Sequence, residues 1–184
     1  LLPLLQKKIS KADDIVYKHL MAKLKTYILK VMKTNPMRLL EQHNIPYKFH
    51  HYPFDPHGSA LEVTNKLNID ENALYKTIVT TASDNQIRIF CLPVTLELSL
   101  KNLRSIFKLK SISLVDPKDL LKLTGYIRGG VSPLAMIKSY PLFIDNSISN
   151  QIKIVINGGK QGYLIEVDKQ QLIKLTSATE IKLT

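Results

Sequence analysis

The sequence predicts a single α+β domain, and two observations carry this prediction. Segments with helical apolar spacing and runs rich in β-branched residues alternate along the 184 residues, without separating into a helical half and a strand half. No internal repeat or low-complexity linker divides the chain, and an apolar content of 45% suits one buried core. Such a pattern is typical of helices packed on sheet.

The first 31 residues differ from the rest. They hold seven lysines, two aspartates and no glycine, and the spacing of Ile15, Leu20, Leu24 and Ile28 predicts an amphipathic helix over 11–30. Met32 reads like a natural protein start. We therefore expect residues 1–31 to be an N-terminal helical extension, either a native arm or a segment outside the natural protein, and residues 32–184 to form the functional domain.

The domain begins with helix and strand signals in alternation. A helix is expected from Pro36 to about Asn44, because Ile45-Pro46 then disfavours helical backbone. A strand follows over 47–52 and a second helix over 60–69. The β-rich runs 76–82 and 86–94 flank Ser83-Asp84-Asn85 and predict a hairpin. The later elements are expected in this order: helix 97–107, strand 110–115, helix 117–123, strands 141–145, 152–157 and 162–167, helix 168–174 and strand 177–183.

Charge and cysteine content limit the function classes. The formal net charge of +11 favours a polyanionic partner. The lone cysteine, Cys91, cannot form an internal disulfide, so we expect a reducing compartment and a cytoplasmic protein. No stretch of about 18 uninterrupted apolar residues is present, and no membrane partner is expected.

Six of the seven glycines fall in two short segments, 124–134 and 157–162. Each segment brings several backbone N–H groups close to a cation, which is a recipe for holding a phosphate or a carbonyl oxygen. The second segment is equally well explained as a hairpin turn. The first, with Arg128, Ser132 and Pro133 among its glycines, is typical of a functional loop.

Other familiar chemistry lacks support. No Rossmann or phosphate-loop glycine signature, catalytic-serine elbow or zinc-ligand spacing occurs. His50 and His51 are adjacent, so on a strand they point to opposite faces. Cys91 is expected to be a buried, inert thiol. Lys76 starts a β run. On general grounds, a lysine at a strand end buries its aliphatic stem and keeps only its charged tip in water.

Four segments occur in the order seen in the YbaK/EbsC family, which this chain resembles over about residues 33–184. They are NPMRLLEQHNIPYKFHHY (35–52), ENALYKTIV (71–79), TGYIRGGVSPL (124–134) and GGKQGYLIEV (158–167). That family consists of Cys-tRNA(Pro) deacylases related to the editing domain of bacterial prolyl-tRNA synthetase. Two departures from its pattern are Ala135 after the SPL triplet and Gln161 in place of a basic residue.

The resemblance implies a mixed β-barrel flanked by helices, acting on the acceptor end of proline tRNA. Prolyl-tRNA synthetase is a further expected partner, and no cofactor or metal is expected. The cysteine substrate's own thiol is expected to attack the ester, so no protein nucleophile is required. The residues assigned to catalysis are Lys76, Gly129 and Gly130, and those assigned to substrate binding are Tyr52, Arg128, Ser132, Pro133, Asp145, Gly158, Gly159 and Lys160.

Two alternatives stay open at this point. The same fold could deacylate another misacylated tRNA, such as Ala-tRNA(Pro), or it could serve as a non-catalytic module that binds tRNA or a synthetase. Lys76 and Gly129-Gly130 argue against the non-catalytic reading.

Overall fold

The computed structural model describes residues 16–21 and 33–184. The chain divides into two compact units, Leu1–Lys33 and Thr34–Thr184. In the first unit, residues 16–21 are helical. The rest of the helix expected over 11–30 lies outside the described residues.

The second unit holds five α-helices, one short 3₁₀ helix and eight strands. In chain order they are α1 (Asn35–Gln42), β1 (Tyr47–His51), α2 (Ala60–Leu67), β2 (Tyr75–Ala82), β3 (Ile87–Pro93), α3 (Leu100–Ile106), β4 (Ile112–Leu114), α4 (Pro117–Thr124), β5 (Leu142–Asp145), the 3₁₀ helix (Asn146–Asn150), β6 (Lys153–Asn157), β7 (Tyr163–Asp168), α5 (Lys169–Thr176) and β8 (Thr179–Ile181). Every element expected from Pro36 onward is present, and the 3₁₀ helix is the addition.

Capping residues explain several of the helix boundaries. Ser59 and Ser99 accept hydrogen bonds from the amides of Glu62 and Asn102, so α2 and α3 begin directly after them. The side chain of Asp168 caps α5 in the same way. The expected helix over 97–107 therefore starts three residues later than its apolar spacing suggested.

The strands form two sheets, and this corrects the expected barrel. One sheet has the order β1-β7-β6 and is antiparallel throughout, whereas the other has the order β4-β2-β3-β5-β8. The two sheets meet through one isolated bridge, Leu74 to Val155, and they do not close into a ring. The larger sheet ends in strands of three residues, β4 and β8, which present too little edge to continue the pairing.

Apolar clusters among the described residues support the domain. One includes Phe90 and Leu92 of β3, with Leu103 of α3 and Leu183 packed against them. Another joins the two sheets through Leu74, Val155 and Leu164. In residues 16–21 and 33–184, no helix has both the length and the apolar character needed to cross a bilayer.

Candidate active site

A cavity of about 530 Å³ lies next to the junction of the two sheets. Its wall is mostly apolar, with side chains from α2, β2, α4 and β7, and it carries a few polar groups. Four of the sequence-assigned residues line it: Tyr52, Lys76, Arg128 and Gly129. A largely apolar cavity with a few convergent polar groups is the usual form of a small-ligand site.

Lys76 is one of two cations among the described residues that line this cavity, and Arg128 is the other. Lys76 is the second residue of β2, and its Nζ lies 3.0 Å from Oε1 of Glu97. The Lys76 side chain is 28% exposed, whereas that of Glu97 is 93% exposed. Because such an exposed ion pair is weak, an incoming phosphate or ester oxygen can replace Glu97 at low cost.

Gly129 sits at the bend of a tight turn that also lines the cavity. The amide of Gly130 donates to the carbonyl of Ile127 at 2.9 Å, and Gly129 has a φ of +79°. These features define a type II turn, whose third residue needs positive φ and therefore favours glycine. The turn places Arg128 and Gly129 on the cavity, while Gly130 is buried behind it and uses its N–H inside the turn.

The second glycine segment supports this turn from behind. It connects β6 to β7, and Tyr163 donates to the carbonyl of Lys160 at 3.1 Å to close the hairpin. Its two amide side chains reach across to the first segment: Asn157 Nδ2 donates to the Gly129 carbonyl at 2.8 Å, and Gln161 Nε2 donates to the Arg128 carbonyl at 2.9 Å. The sequence left a hairpin turn and an anion site open for this segment, and its geometry is that of a hairpin turn.

The other residues assigned to this segment have structural contacts. A Cβ on Gly159 would lie 2.9 Å from the ring of Pro36, so a close approach to α1 requires glycine there. Gly158 donates to the Tyr163 carbonyl, and Lys160 Nζ lies 5.0 Å above the Tyr163 ring. None of the three lines the cavity.

Ser132, Pro133 and Asp145 also lie outside the cavity lining. Ser132 is fully buried, and its hydroxyl accepts a hydrogen bond from the Leu134 amide at 3.3 Å. Pro133 lines a separate cavity of about 250 Å³. Asp145 is buried and accepts bonds from the Ser147 amide at 3.0 Å and the Leu183 amide at 2.9 Å, which tie β5 to the end of the chain.

The cavity offers no ordinary side-chain nucleophile or base among the described residues. Its lining holds no carboxylate, imidazole or thiol. Burial raises the pKa of the Tyr52 and Tyr75 hydroxyls, that of Tyr75 to about 12, so both stay protonated near neutral pH. Cys91 is fully buried in β3, and burial raises its pKa to about 12.

The adjacent histidines lie away from this cavity. His50 Nε2 lies 3.0 Å from Oε2 of Glu166 on the neighbouring strand β7, and His51 packs edge-on against the Tyr163 ring. Within the described ranges, no three His, Cys, Asp or Glu side chains are grouped so that they could hold a metal ion. The arrangement is therefore suited to chemistry that depends on backbone amides, cations and the substrate's own groups.

A family model matches most of the domain that holds this cavity. Residues 56–175 match the family model described as the aminoacyl-tRNA editing domain, and this range includes Lys76 and the Gly129 turn. The chain belongs to the family of aminoacyl-tRNA editing domains.

One named relative and two solved structures are similar to this chain over most of its length. A protein of Enterococcus faecalis named as the Cys-tRNA(Pro)/Cys-tRNA(Cys) deacylase EbsC is 34% identical over 165 residues, which are 89% of this chain and 98% of that protein. The resemblance to the YbaK/EbsC family is thereby confirmed. A crystal structure described as a trans-editing enzyme for prolyl-tRNA synthetase has the same fold, with a TM-score of 0.71 at 19% identity over 82% of this chain and 98% of that one. A hypothetical protein named APE2540 matches with a TM-score of 0.73, over 82% of this chain and 99% of its own, also at 19% identity.

Proposed function

We propose that this protein is a trans-editing deacylase that removes cysteine from mischarged Cys-tRNA(Pro). The observation that carries the proposal is that one cavity is lined by both the Lys76 cation and the Gly129 turn, in a chain of the editing-domain family. The relative in Enterococcus faecalis is named for the same substrate and for Cys-tRNA(Cys).

Some cavity residues stabilise charge on the substrate, and others position the ester. Lys76 attracts the terminal phosphate or the ester oxygen of the acceptor end. The Gly129 amide, which makes no hydrogen bond to another described residue, donates to the acyl carbonyl oxygen as negative charge develops on it. Arg128 and Tyr52 complete the wall around the ester.

The substrate supplies the nucleophile. The cysteine sulfur bonds to its own acyl carbon, the bond from that carbon to the terminal ribose oxygen breaks, and the thiol proton passes to that oxygen. The products are a cyclic thiolactone and free tRNA, and water then opens the thiolactone. A cavity wall without carboxylate, imidazole or thiol supports this route, and an amino acid without a thiol cannot follow it.

The direct experiment compares deacylation of Cys-, Ala- and Ser-charged proline tRNA, with Pro-tRNA(Pro) and Cys-tRNA(Cys) in parallel. We expect rapid release of cysteine and slow release of the other amino acids. S-methylcysteinyl-tRNA(Pro) is the matched substrate control and should resist hydrolysis. Faster release of alanine would establish the alternative substrate, and no release of any amino acid would establish a non-catalytic module.

Ser132 is the protein hydroxyl to exclude. Because it is fully buried and already accepts the Leu134 amide, Ser132→Ala should lower kcat by no more than about 10-fold, far from the roughly 10⁴-fold or greater loss that follows removal of a true nucleophile. An acyl-enzyme trapped on Ser132 in denaturing gels with labelled cysteine would contradict the proposed chemistry.

The proposal also includes a protein partner and a cellular location. Prolyl-tRNA synthetase is proposed as a partner, which pull-down with the two purified proteins tests. A cytoplasmic location is proposed from the chemistry of the substrate and the lone reduced cysteine, and fractionation of cells tests it.

A further inference from the structure

Gly129 by itself does not determine which way its N–H points. Type I and type II turns differ by about half a rotation of the peptide between their two central residues, here Arg128 and Gly129. Glycine adopts negative φ about as readily as positive φ, so it is compatible with both turns. The direction of the Gly129 amide must therefore be set by a contact outside the turn.

Gln161 makes that contact. Its Nε2 donates to the Arg128 carbonyl at 2.9 Å, and this carbonyl belongs to the same peptide as the Gly129 N–H. No cis peptide bond occurs in residues 33–184, and in a trans peptide the C=O and N–H groups point in opposite directions. Holding the Arg128 oxygen against the β6–β7 hairpin thus turns the Gly129 N–H away from that hairpin.

Asn157 fixes the next peptide. Its Oδ1 accepts the Gly159 amide at 2.8 Å and its Nδ2 donates to the Gly129 carbonyl, also at 2.8 Å. These two bonds leave only one orientation of the amide group, because the reverse would place two acceptors face to face. The hairpin thereby holds two consecutive carbonyls of the turn through two amide side chains.

We propose that Gln161 is a positioning residue, which keeps the turn in its type II form so that the Gly129 amide is directed at the acyl carbonyl. The inference rests on the proposed deacylase function and adds a role for the hairpin behind the cavity. Gln161 stands where the related family usually has a basic residue, and a lysine at this position would also be able to donate to the Arg128 carbonyl.

The test uses three substitutions at this position. Gln161→Met keeps the length of the side chain without a donor, Gln161→Glu offers only acceptors, and Gln161→Lys restores a donor. We expect Gln161→Met and Gln161→Glu to lower kcat for Cys-tRNA(Pro) by about 10-fold to 100-fold. This loss is near or below the loss that follows removal of a whole oxyanion-hole donor. KM should change by less than about 3-fold. Lys should return kcat to within about 3-fold of the original chain.

Gln170→Met on the exposed face of α5 is the matched control and should leave both constants unchanged. An unchanged kcat in Gln161→Met, a loss confined to KM, or a failure of Lys to restore kcat would overturn the proposal.

An activity-independent measurement separates this inference from the function itself. The three-bond couplings between the amide proton and the two stereospecifically assigned α protons of Gly129, measured by NMR, report the sign and size of its φ in the free protein. We expect positive φ in the original chain and in Gln161→Lys, and an averaged value in Gln161→Met. If the original chain does not deacylate Cys-tRNA(Pro), the proposed function fails, yet the coupling still decides the role of Gln161. A coupling identical in Gln161→Met and in the original chain would overturn that role.

Discussion

Lys76, which is proposed to act in catalysis, should contribute little to the stability of the fold. Its one ion-pair partner within the described residues, Glu97, is almost fully exposed, so the pair should contribute well under about 1 kcal/mol to folding. The lysine is placed by β2 rather than by its own contacts. Its value therefore lies in the charge that it brings to the cavity.

We predict that Lys76→Ala abolishes measurable deacylation of Cys-tRNA(Pro) while the protein stays folded. Glu97→Ala is the matched control, since it removes the ion pair but keeps the cation, and it should retain most of the activity. The measurements are single-turnover rates and thermal melting. A melting temperature lowered by more than about 8 °C would make Lys76 structural, and retained activity would show that it is not needed for catalysis.

The two adjacent glycines of the turn should respond differently to a methyl group. A Cβ on Gly129 would lie 2.9 Å from the Phe54 ring, and the residue would have to keep a positive φ. A Cβ on Gly130 would lie 3.3 Å from the backbone nitrogen of Gln161, and the φ of Gly130 is one that other residues adopt. Gly129→Ala should therefore cost roughly 1–2 kcal/mol of stability and most of the activity.

Gly130→Ala should lower stability and activity less than Gly129→Ala does. Urea titration measures the stability of the two variants, and kinetic assays measure their activity. The larger Gly129→Val and Gly130→Val substitutions should both be severe. Equal effects of the two alanine substitutions, or near-normal rates in either valine variant, would contradict the backbone-amide role of the turn.

At the scale of elements, the β2–β3 hairpin carries Lys76 and is supported at its far end by one ion pair. Arg88 is nearly buried, lies 5.0 Å from the centre of the Phe107 ring and donates through two nitrogens to the carboxylate of Asp84. The hydrogen bond from Arg88 lowers the pKa of Asp84 to about 2. This pairing favours the turn that the sequence Ser83-Asp84-Asn85 already predicts.

The hairpin should therefore lose stability in acid. Because the pKa of Asp84 is lower in the folded chain than its unfolded value of about 3.9, its stabilising contribution is complete above about pH 4 and disappears as the pH falls towards 2. Urea unfolding between pH 6 and pH 2.5 measures this effect. Asp84→Asn should show a flatter pH dependence over that window than the control Asp119→Asn, and identical curves for the two would contradict the assignment.

The order of elements could be predicted because each depends on local signals. Pro117 marked a helix start and Ser83 to Asn85 marked a turn, whereas the cap at Ser99 was missed, so α3 was expected three residues too early. The sheet arrangement could not be obtained in this way, since the pairing of β3 with β5 and of β5 with β8 joins segments far apart in the chain. The expected barrel came from family likeness rather than from these residues.

The candidate site was predictable only in part. Gly129 could be found because a cluster of glycines is unusual in the sequence. Lys76 was assigned to catalysis from the family resemblance, because on general grounds a lysine at a strand end needs no functional role. The hydrogen bonds from Asn157 and Gln161 left no such signal, because an amide that reaches a distant carbonyl has no fixed spacing from it. Asp145 was assigned to substrate from family likeness, whereas it binds backbone amides at the end of β5.

At the scale of the whole molecule, charge is distributed unevenly between the two parts of the chain. The net charge is +11 for all 184 residues, and removing residues 1–31 leaves +6. Phosphate contacts by lysine and arginine release counterions, so the affinity for tRNA should fall as salt rises. The domain boundary near residue 31 stays a prediction, and a truncated protein addresses it.

A chain that starts at Met32 should keep the kcat of the full chain, because it contains every residue placed at the cavity. Its KM should rise modestly, and the slope of log(kcat/KM) against log salt should become shallower, since fewer cations contact the tRNA. Steady-state kinetics at several salt concentrations provide the comparison. A loss of more than about 10-fold in kcat/KM at low salt would show that the extension is part of the tRNA site.

The pairing of β1 with β7 has a consequence for how the protein is made. Tyr47 lies opposite Val167, so the first strand of the three-stranded sheet waits for its partner until most of the chain has left the ribosome. Contacts between such distant segments slow folding. The hairpin that holds the Gly129 turn is synthesised in the same late stretch, so a nascent or prematurely terminated chain would carry Lys76 without an assembled cavity. Hydrolytic capacity should therefore appear only after β7 and the hairpin before it have been synthesised and have paired with β1.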